Sequence, residues 1–370
     1  MEPFRFLQTS DLHLDWLFEK YPPVKRQERR KELLKAFNQI IEAALKNQVE
    51  AVLIAGDLFH TPTPGQATLL QVEQGFTRLK EAGIRAVIIP GNHDPCREGS
   101  CYNYHSFPDN VFIFKEEPFG VLKFRDGVTI YGIPYREQLA QERALLMLKA
   151  EPGQGVHIGL AHGTYKGVSL GEEAYAPIFP GDINKSGLTH LALGHYHNFK
   201  DCSQSKTTAC YSGCPARLTF HNLEERVVLI GEARTGEKTS WQQFMLESRP
   251  YREIVCDLSC QNMAQVLAGI ARQADAEACM RLVLKGTIPE DQLFSIGEIE
   301  AGLQQYFFYA EIGDEITVVP LEPEPDTVKG LFIKKINALL QDQGLSPEQR
   351  RLYQEALRIG LTALRGGRLP

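Results

Sequence analysis

Five short apolar runs in this chain end in the same kind of chemistry. FLQTS leads into Asp11 and His13, AVLIAG into Asp57, and AVIIPG into Asn92 and His93. IGLA leads into His162, and LALG into His195 and His197. A turn carboxylate, a loop histidine or an asparagine beside a glycine is ordinary when met once. Repeated at five strand ends, the pattern calls for a fold that brings those ends together. Open α/β sheets do this, because loops leaving the carboxyl ends of the strands converge on one crevice.

The intervening segments agree with that class. VKRQERRKELLKAFNQIIEAALKN has helical periodicity, with Leu34, Phe37, Ile41 and Leu45 on one face, and a second helix is expected from about Gly65 to Ala82. VFIF, VTIYGIPY, VHIGLAHG, HLALGHYH, TACYSG and RVVLIGEA read as further short strands, with one helix near residues 137–149. So many β segments with few later helices predict an α/β fold of two packed sheets flanked by helices.

Aspartate, asparagine and histidine without thiolate suit Mn²⁺, Fe²⁺ or Zn²⁺. Seven such groups are too many for one ion and fit two, provided one carboxylate bridges. Two cations about 3.5–4 Å apart can clamp the attacking and leaving oxygens of an in-line displacement at phosphorus. The pair in GHYH then has a use: two histidines at i and i+2 on an extended segment serve two ions from one loop. The eight cysteines are scattered, as expected of reduced thiols, and Cys202, Cys210 and Cys214 are too irregularly spaced for a zinc site. No apolar stretch approaches the roughly 20 residues that span a membrane. The start runs almost directly into a strand, so no signal peptide and a cytoplasmic location are expected. The net charge of −6 neither supports nor excludes a phosphate-bearing substrate, because bound cations would make a site locally positive.

SDLHLD, GDLFH, GNHD, AHG and GHYH occur in the order and kind that define the calcineurin-like metallophosphoesterases. GDLFHTPTP, GNHDP and the later YSGCP resemble the SbcD-type DNA repair nucleases, especially their YhaO-like bacterial branch. The resemblance covers most of residues 4–235. It implies one metal held by Asp11, His13, Asp57 and His197, and a second held by Asp57, Asn92, His162 and His195. Manganese is the first choice of ion, with iron or zinc as alternatives. It further implies that His93 protonates the leaving oxygen or stabilises charge on it while Asp94 holds its ring, and that His60 lies near the scissile phosphate. DNA, an SMC-like coiled-coil ATPase and a homodimeric partner are the implied partners, with no membrane. One departure is PCREGSCYNYHSFPDN after GNHD, where many SbcD proteins have a longer helical segment; it puts the dimer mode in doubt. Its Tyr102, Tyr104, His105 and Phe107 suit either stacking on bases or packing onto the body, and packing is favoured.

Beyond residue 248 the character changes. YREIVCDLS, QNMAQVLAGIARQAD, MRLVLKGTIP, a helix near 297–306 and FYAEIGDEITVV give a β-α-β-α-β run, which resembles the family's capping domain. EPEPD reads as a linker, followed by VKGLFIKKINALLQD and then a helix opened by Ser346 and Pro347. Leu352, Ala356, Ile359 and Ala363 form its apolar stripe, flanked by arginines at 350, 351, 358, 365 and 368. The expected organisation is 1–248 nuclease domain, 249–325 smaller α+β capping domain, and 326–370 C-terminal helices, a docking element for the ATPase. The expected activity is two-metal hydrolysis of DNA near ends in repair, as the nuclease subunit of an SbcCD-like complex. The rivals are a small-molecule metallophosphatase or cyclic-nucleotide phosphodiesterase, and a DNA-end binding scaffold with vestigial activity.

Overall fold

The computed structural model describes residues 2–137, 142–150, 155–166, 175–220, 223–321 and 326–364. The chain divides into two compact units, 1–248 and 249–370. In chain order the first contains β1 (Phe4–Thr9), α1 (Pro23–Lys46), β2 (Ala51–Ala55), α2 (Gln66–Glu81), β3 (Arg85–Ile89), α3 (Cys101–Tyr104), β4 (Val111–Ile113) and β5 (Gly120–Arg125). It continues with β6 (Val128–Ile133), β7 (Val156–His162), α4 (Pro180–Lys185), β8 (His190–Gly194), β9 (Lys200–Asp201), β10 (Thr208–Tyr211), β11 (Val227–Ala233) and β12 (Ser240–Met245).

One six-stranded sheet runs β12-β11-β1-β2-β3-β4 and the other β5-β6-β7-β8-β10-β9. β1 to β4 are mutually parallel, as are β6, β7, β8 and β10. β2 and β3 are near-continuous apolar runs because a parallel strand in the middle of a covered sheet is buried on both faces. The two sheets share one core, with Phe4, Phe6, Leu53, Val87 and Ile89 from the first against Ile130, Ile158, Leu160 and Ala192 from the second. Gln8 on β1 crosses this core: its side chain accepts from His190 Nε2 at 2.8 Å and donates to the Cys210 carbonyl at 2.7 Å.

α1 opens with Pro23, where a missing N–H costs nothing, and packs beside α2 through Phe37 and Phe76, ring centroids 5.7 Å apart. Its buried face is Leu33, Phe37, Ile40, Ile41 and Ala44, while Leu34 and Leu45 are only half-buried. Both stripes satisfy the helical period, and packing selected the one rotated by a residue. Near 137–149 the described residues form only a 3₁₀ turn, Ala144–Met147; residues 138–141 lie outside the described residues. β5 and β12 went unforeseen in the sequence because edge strands, half-exposed, need no apolar alternation. Cys202, Cys210 and Cys214 are buried thiols, and no cysteine joins a metal-competent group among the described residues.

The second unit contains β13 (Tyr251–Asp257), α5 (Met263–Ala271), β14 (Asp275–Pro289), α6 (Ile296–Leu303), β15 (Phe307–Val319), α7 (Val328–Leu340) and α8 (Pro347–Leu364). Its three strands are parallel, and Asn262, Ser295 and Thr327 cap α5, α6 and α7 through their side-chain oxygens. Ile333, Leu357 and Leu361 from α7 and α8 join Val266, Met280, Leu282 and Leu303 in one core, so the C-terminal helices are part of this unit. The stripe Leu352, Ala356, Ile359 and Ala363 is not the face that enters the core; Leu352 remains 61% exposed. The arginine-rich face is also partly engaged internally. Arg350 donates to the Leu340 and Asp342 carbonyls at 3.1 and 3.4 Å, and Arg358 pairs with Asp314 at 2.9 Å. Arg365, Arg368 and residues 322–325 of the linker lie outside the described residues. Among the described residues no helix is long and apolar enough to cross a membrane.

Candidate metal centre

The carboxyl ends of β1, β2 and β3 in one sheet and of β7 and β8 in the other deliver their polar residues to one place. Asp57 stands at its middle. Its Oδ2 lies 3.6 Å from His13 Nε2 and 3.5 Å from His162 Nε2, joining the two sheets, while its Oδ1 accepts the His93 N–H at 2.9 Å. His13 Nε2 is 3.2 Å from His197 Nε2, and His162 Nε2 is 2.9 Å from Asn92 Oδ1. Both Asp11 oxygens accept the His195 N–H, at 3.0 and 3.1 Å, and Ser10 Oγ donates to one of them at 2.6 Å. The His195 ring stands edge-on to that of His162, centroids 5.5 Å apart. His162 Nδ1 faces the Ala55 carbonyl at 2.9 Å, so that nitrogen carries a proton and Nε2 is the one turned into the site.

The backbone contributes as much as the side chains. Asp11, His13, Asp57 and His195 have positive φ of 53°, 46°, 52° and 108°. Left-handed non-glycine residues cost about 1–3 kcal/mol each and persist where the surroundings enforce them. Gly91 and Gly194 permit the crowding. A Cβ at Gly91 would come within 2.1 Å of Asp57 Oδ1, and one at Gly194 within 1.9 Å of the Ala55 carbonyl oxygen.

Burial dominates the electrostatics. It pushes His13 well below its usual value against the pull of Asp57, and it holds His195 and His197 down to about 4. These are neutral imidazoles with lone pairs to give. Burial also raises Asp11 to about 7, opposed by the charge on His162. Burial alone would lower His162 and raise Asp57, but their mutual attraction wins: His162 is raised to about 9 and Asp57 lies well below the carboxylate range. A buried carboxylate with too little compensating charge, set among neutral imidazoles, fits a divalent cation. Among the described residues three donor groups have the reach for an ion: Asp11, His13 and His197; Asp11, Asp57 and His162; and His13, His60 and His93, which has no carboxylate; the ligand atoms of each group lie within 4.8 Å of one another.

All seven residues read from the sequence as ligands therefore meet here. His93 is beside them, its ring edge-on to His13 at 4.8 Å and stacked on His60 at 4.7 Å and 21°. His60 Nδ1 in turn lies 3.3 Å from His13 Nδ1. Asp94 departs from the expectation that it holds the His93 ring. Its carboxylate is fully buried and accepts instead from the N–H groups of Gly91 and Phe59, at 2.7 and 3.0 Å, and from the Tyr102 hydroxyl at 2.6 Å. A carboxylate aimed at backbone donors shapes the turn, and burial followed by the charge of Asp57 raises it to about 6.

Sequence reading missed two neighbours. Trp16 stacks on His60 at 4.2 Å and 14°, within reach of inference because it follows SDLHLD directly. Arg226, 2% exposed, donates to the His197 carbonyl at 2.8 Å and fixes that loop from thirty residues away, where no local signal marks it. Tyr102 is buried rather than presented to bases, as is most of its loop's inward face; Tyr104 alone of the four aromatic candidates is largely exposed, at 55%.

The sequence model of the calcineurin-like phosphoesterases matches residues 4–199. The chain is 28% identical over 299 residues to the uncharacterized metallophosphoesterase YhaO of Bacillus subtilis, covering 77% of this chain and 72% of that one. It is 29% identical over 211 residues to the DNA double-strand break repair protein Mre11 of Sulfurisphaera tokodaii, covering 53% of this chain and half of the other (50%). With the SbcD component of the nuclease SbcCD of Bacillus subtilis it shares 24% over 285 residues, covering 66% and 70%. A two-sheet sandwich whose strand ends gather histidine, aspartate and asparagine around buried carboxylates, together with these matches, makes the chain a metal-dependent hydrolase of phosphoesters that belongs to the calcineurin-like phosphoesterase family.

Proposed function

We propose that this protein is a two-metal DNA phosphodiesterase that cuts near DNA ends and works as the nuclease subunit of a complex with an SMC-like ATPase. The observation that carries the two-metal reading is Asp57 Oδ2, nearly equidistant from His13 and His162. DNA as substrate is supported by the likeness to SbcD and Mre11 proteins at 24% and 29% identity. Asp11, His13, Asp57 and His197 would hold one ion, and Asp57, Asn92, His162 and His195 the other, with Mn²⁺ the first choice. When bound, the two ions supply charge neutralisation at the phosphate and activation of a water.

The rest falls to the chain's own side chains. Asp57 keeps both ligand sets in register, since one oxygen faces each sheet's histidine. His162, locked by the Ala55 carbonyl, presents one nitrogen only. His93 protonates the leaving oxygen, and the stack of Trp16, His60 and His93 limits how far its ring can swing. His60 lines the approach of the scissile phosphate. The outward stripe of α8, with Leu352 and Leu364 exposed, is the docking element for the ATPase.

Metal-loaded protein incubated with labelled single- and double-stranded DNA, beside bis(p-nitrophenyl) phosphate, tests the reading. DNA cleavage supports it. Hydrolysis of the small ester alone points to a small-molecule phosphoesterase, and DNA retention without cleavage of either points to a binding scaffold.

A further inference from the structure

The loop that follows GNHD, residues 95–110, turns one buried hydroxyl towards the site. Ser100 Oγ caps the short helix α3, and Cys101 N donates to the Pro62 carbonyl at 2.8 Å, which ties the loop to the segment just beyond His60. Tyr102, 2% exposed, then reaches inward and donates to Asp94 Oδ2 at 2.6 Å. That same oxygen accepts the Phe59 N–H at 3.0 Å, and Oδ1 accepts the Gly91 N–H at 2.7 Å. Asp94 is thus bonded to the backbone immediately before His60 and to the turn that carries Asn92 and His93. His60 and His93 are the two rings stacked at 4.7 Å.

From this geometry we infer that Tyr102 is a positioning residue: acting through Asp94, its hydroxyl keeps His60 and His93 in their stacked arrangement beside the metal ligands. The inference rests on the proposed function for its kinetic readout only. Asp94 makes three hydrogen bonds from one carboxylate, and no water reaches a fully buried group to replace a lost donor. Without the Tyr102 hydroxyl the carboxylate turns towards its remaining donors, and the two peptide segments it joins shift relative to each other. The loop is then an internal brace, the packing role that its aromatic residues favoured.

The test uses full-length Tyr102→Phe, which keeps the ring and its packing and removes one oxygen. Metal content is expected to stay near that of the parent, while the lost hydrogen bond should lower the unfolding temperature without unfolding the protein. Turnover should fall about tenfold with KM little changed, the factor expected when a hydrogen bond to a charged group is lost. Asp94→Asn should lower turnover too, and the double variant should be no worse than the poorer single one, because both act through one contact. A second readout needs no activity. Trp16 stacks on His60, and Trp241 is the only other tryptophan, so in a Trp241→Phe background the emission reports the stack. Tyr102→Phe should change that emission. Unchanged turnover with unchanged emission would overturn the inference, as would loss of metal from Tyr102→Phe or multiplicative losses in the double variant. Should the parent hydrolyse no phosphodiester at all, the proposed function fails, and the emission alone then decides on Tyr102.

Discussion

Asp57 offers one oxygen to histidines from two different sheets, so its removal should be felt on both sides at once. Asp57→Ala is expected to lose both ions, whereas His197→Ala should weaken mainly the ion shared with His13 and Asp11. Elemental analysis of the purified variants checks this, and full double occupancy in Asp57→Ala would remove the bridging role. His93 is the contrasting case. It forms with His13 and His60 a donor group that has no carboxylate, apart from the two groups that share Asp11. His93→Ala should keep its metal and lose about 10²–10⁴-fold in turnover, the usual contribution of a general acid. A near-normal rate on DNA would show that the leaving oxygen takes its proton elsewhere.

Strand ends and helix faces carry the next level of the argument. At Gly194, the last residue of β8, any side chain would collide with the Ala55 carbonyl on β2. Gly194→Ala therefore forces the two sheets apart at the site, at a cost of about 1–3 kcal/mol typical of overpacking, and should weaken metal affinity along with stability. Retained metal affinity, read by titration on the folded variant, would argue that the sheets yield elsewhere. α8 has two apolar faces with different duties. Leu361 is fully buried in the second unit, so Leu361→Ala should cost about 2–5 kcal/mol in chemical unfolding of that unit. Leu352 is exposed, so Leu352→Asp should leave stability within about 0.5 kcal/mol. If α8 docks an SMC-like ATPase, that same change should abolish co-purification with it, and undisturbed co-purification would locate the docking surface elsewhere.

At the scale of the whole chain, every candidate ligand among the described residues belongs to the first unit and none to the second. Binding to the native state alone stabilises by mass action, about 2.7 kcal/mol per ion at a hundredfold excess over Kd. Chelation should therefore lower the melting of the first unit and leave the β13–α8 unit where it was. Calorimetry of the metal-loaded and chelated protein would show one transition moving; equal movement of both would mean that the two units melt together.

The site's chemistry was legible in the sequence because it is local. Each candidate ligand follows an apolar run within a few residues, and parallel strands present their carboxyl ends on one side whatever the details of packing. The pattern along the chain changes near residue 248, where the first compact unit ends. What only the tertiary structure decided depends on partners distant in sequence. The rotation of α1 by one residue was chosen by its neighbours, as was which face of α8 is core. Asp94 looks like a partner for the adjacent His93, yet Phe59 and Tyr102 claim its oxygens. Arg226 secures His197 from thirty residues away, and four left-handed residues at the site hold their strain because two packed sheets leave them no other course.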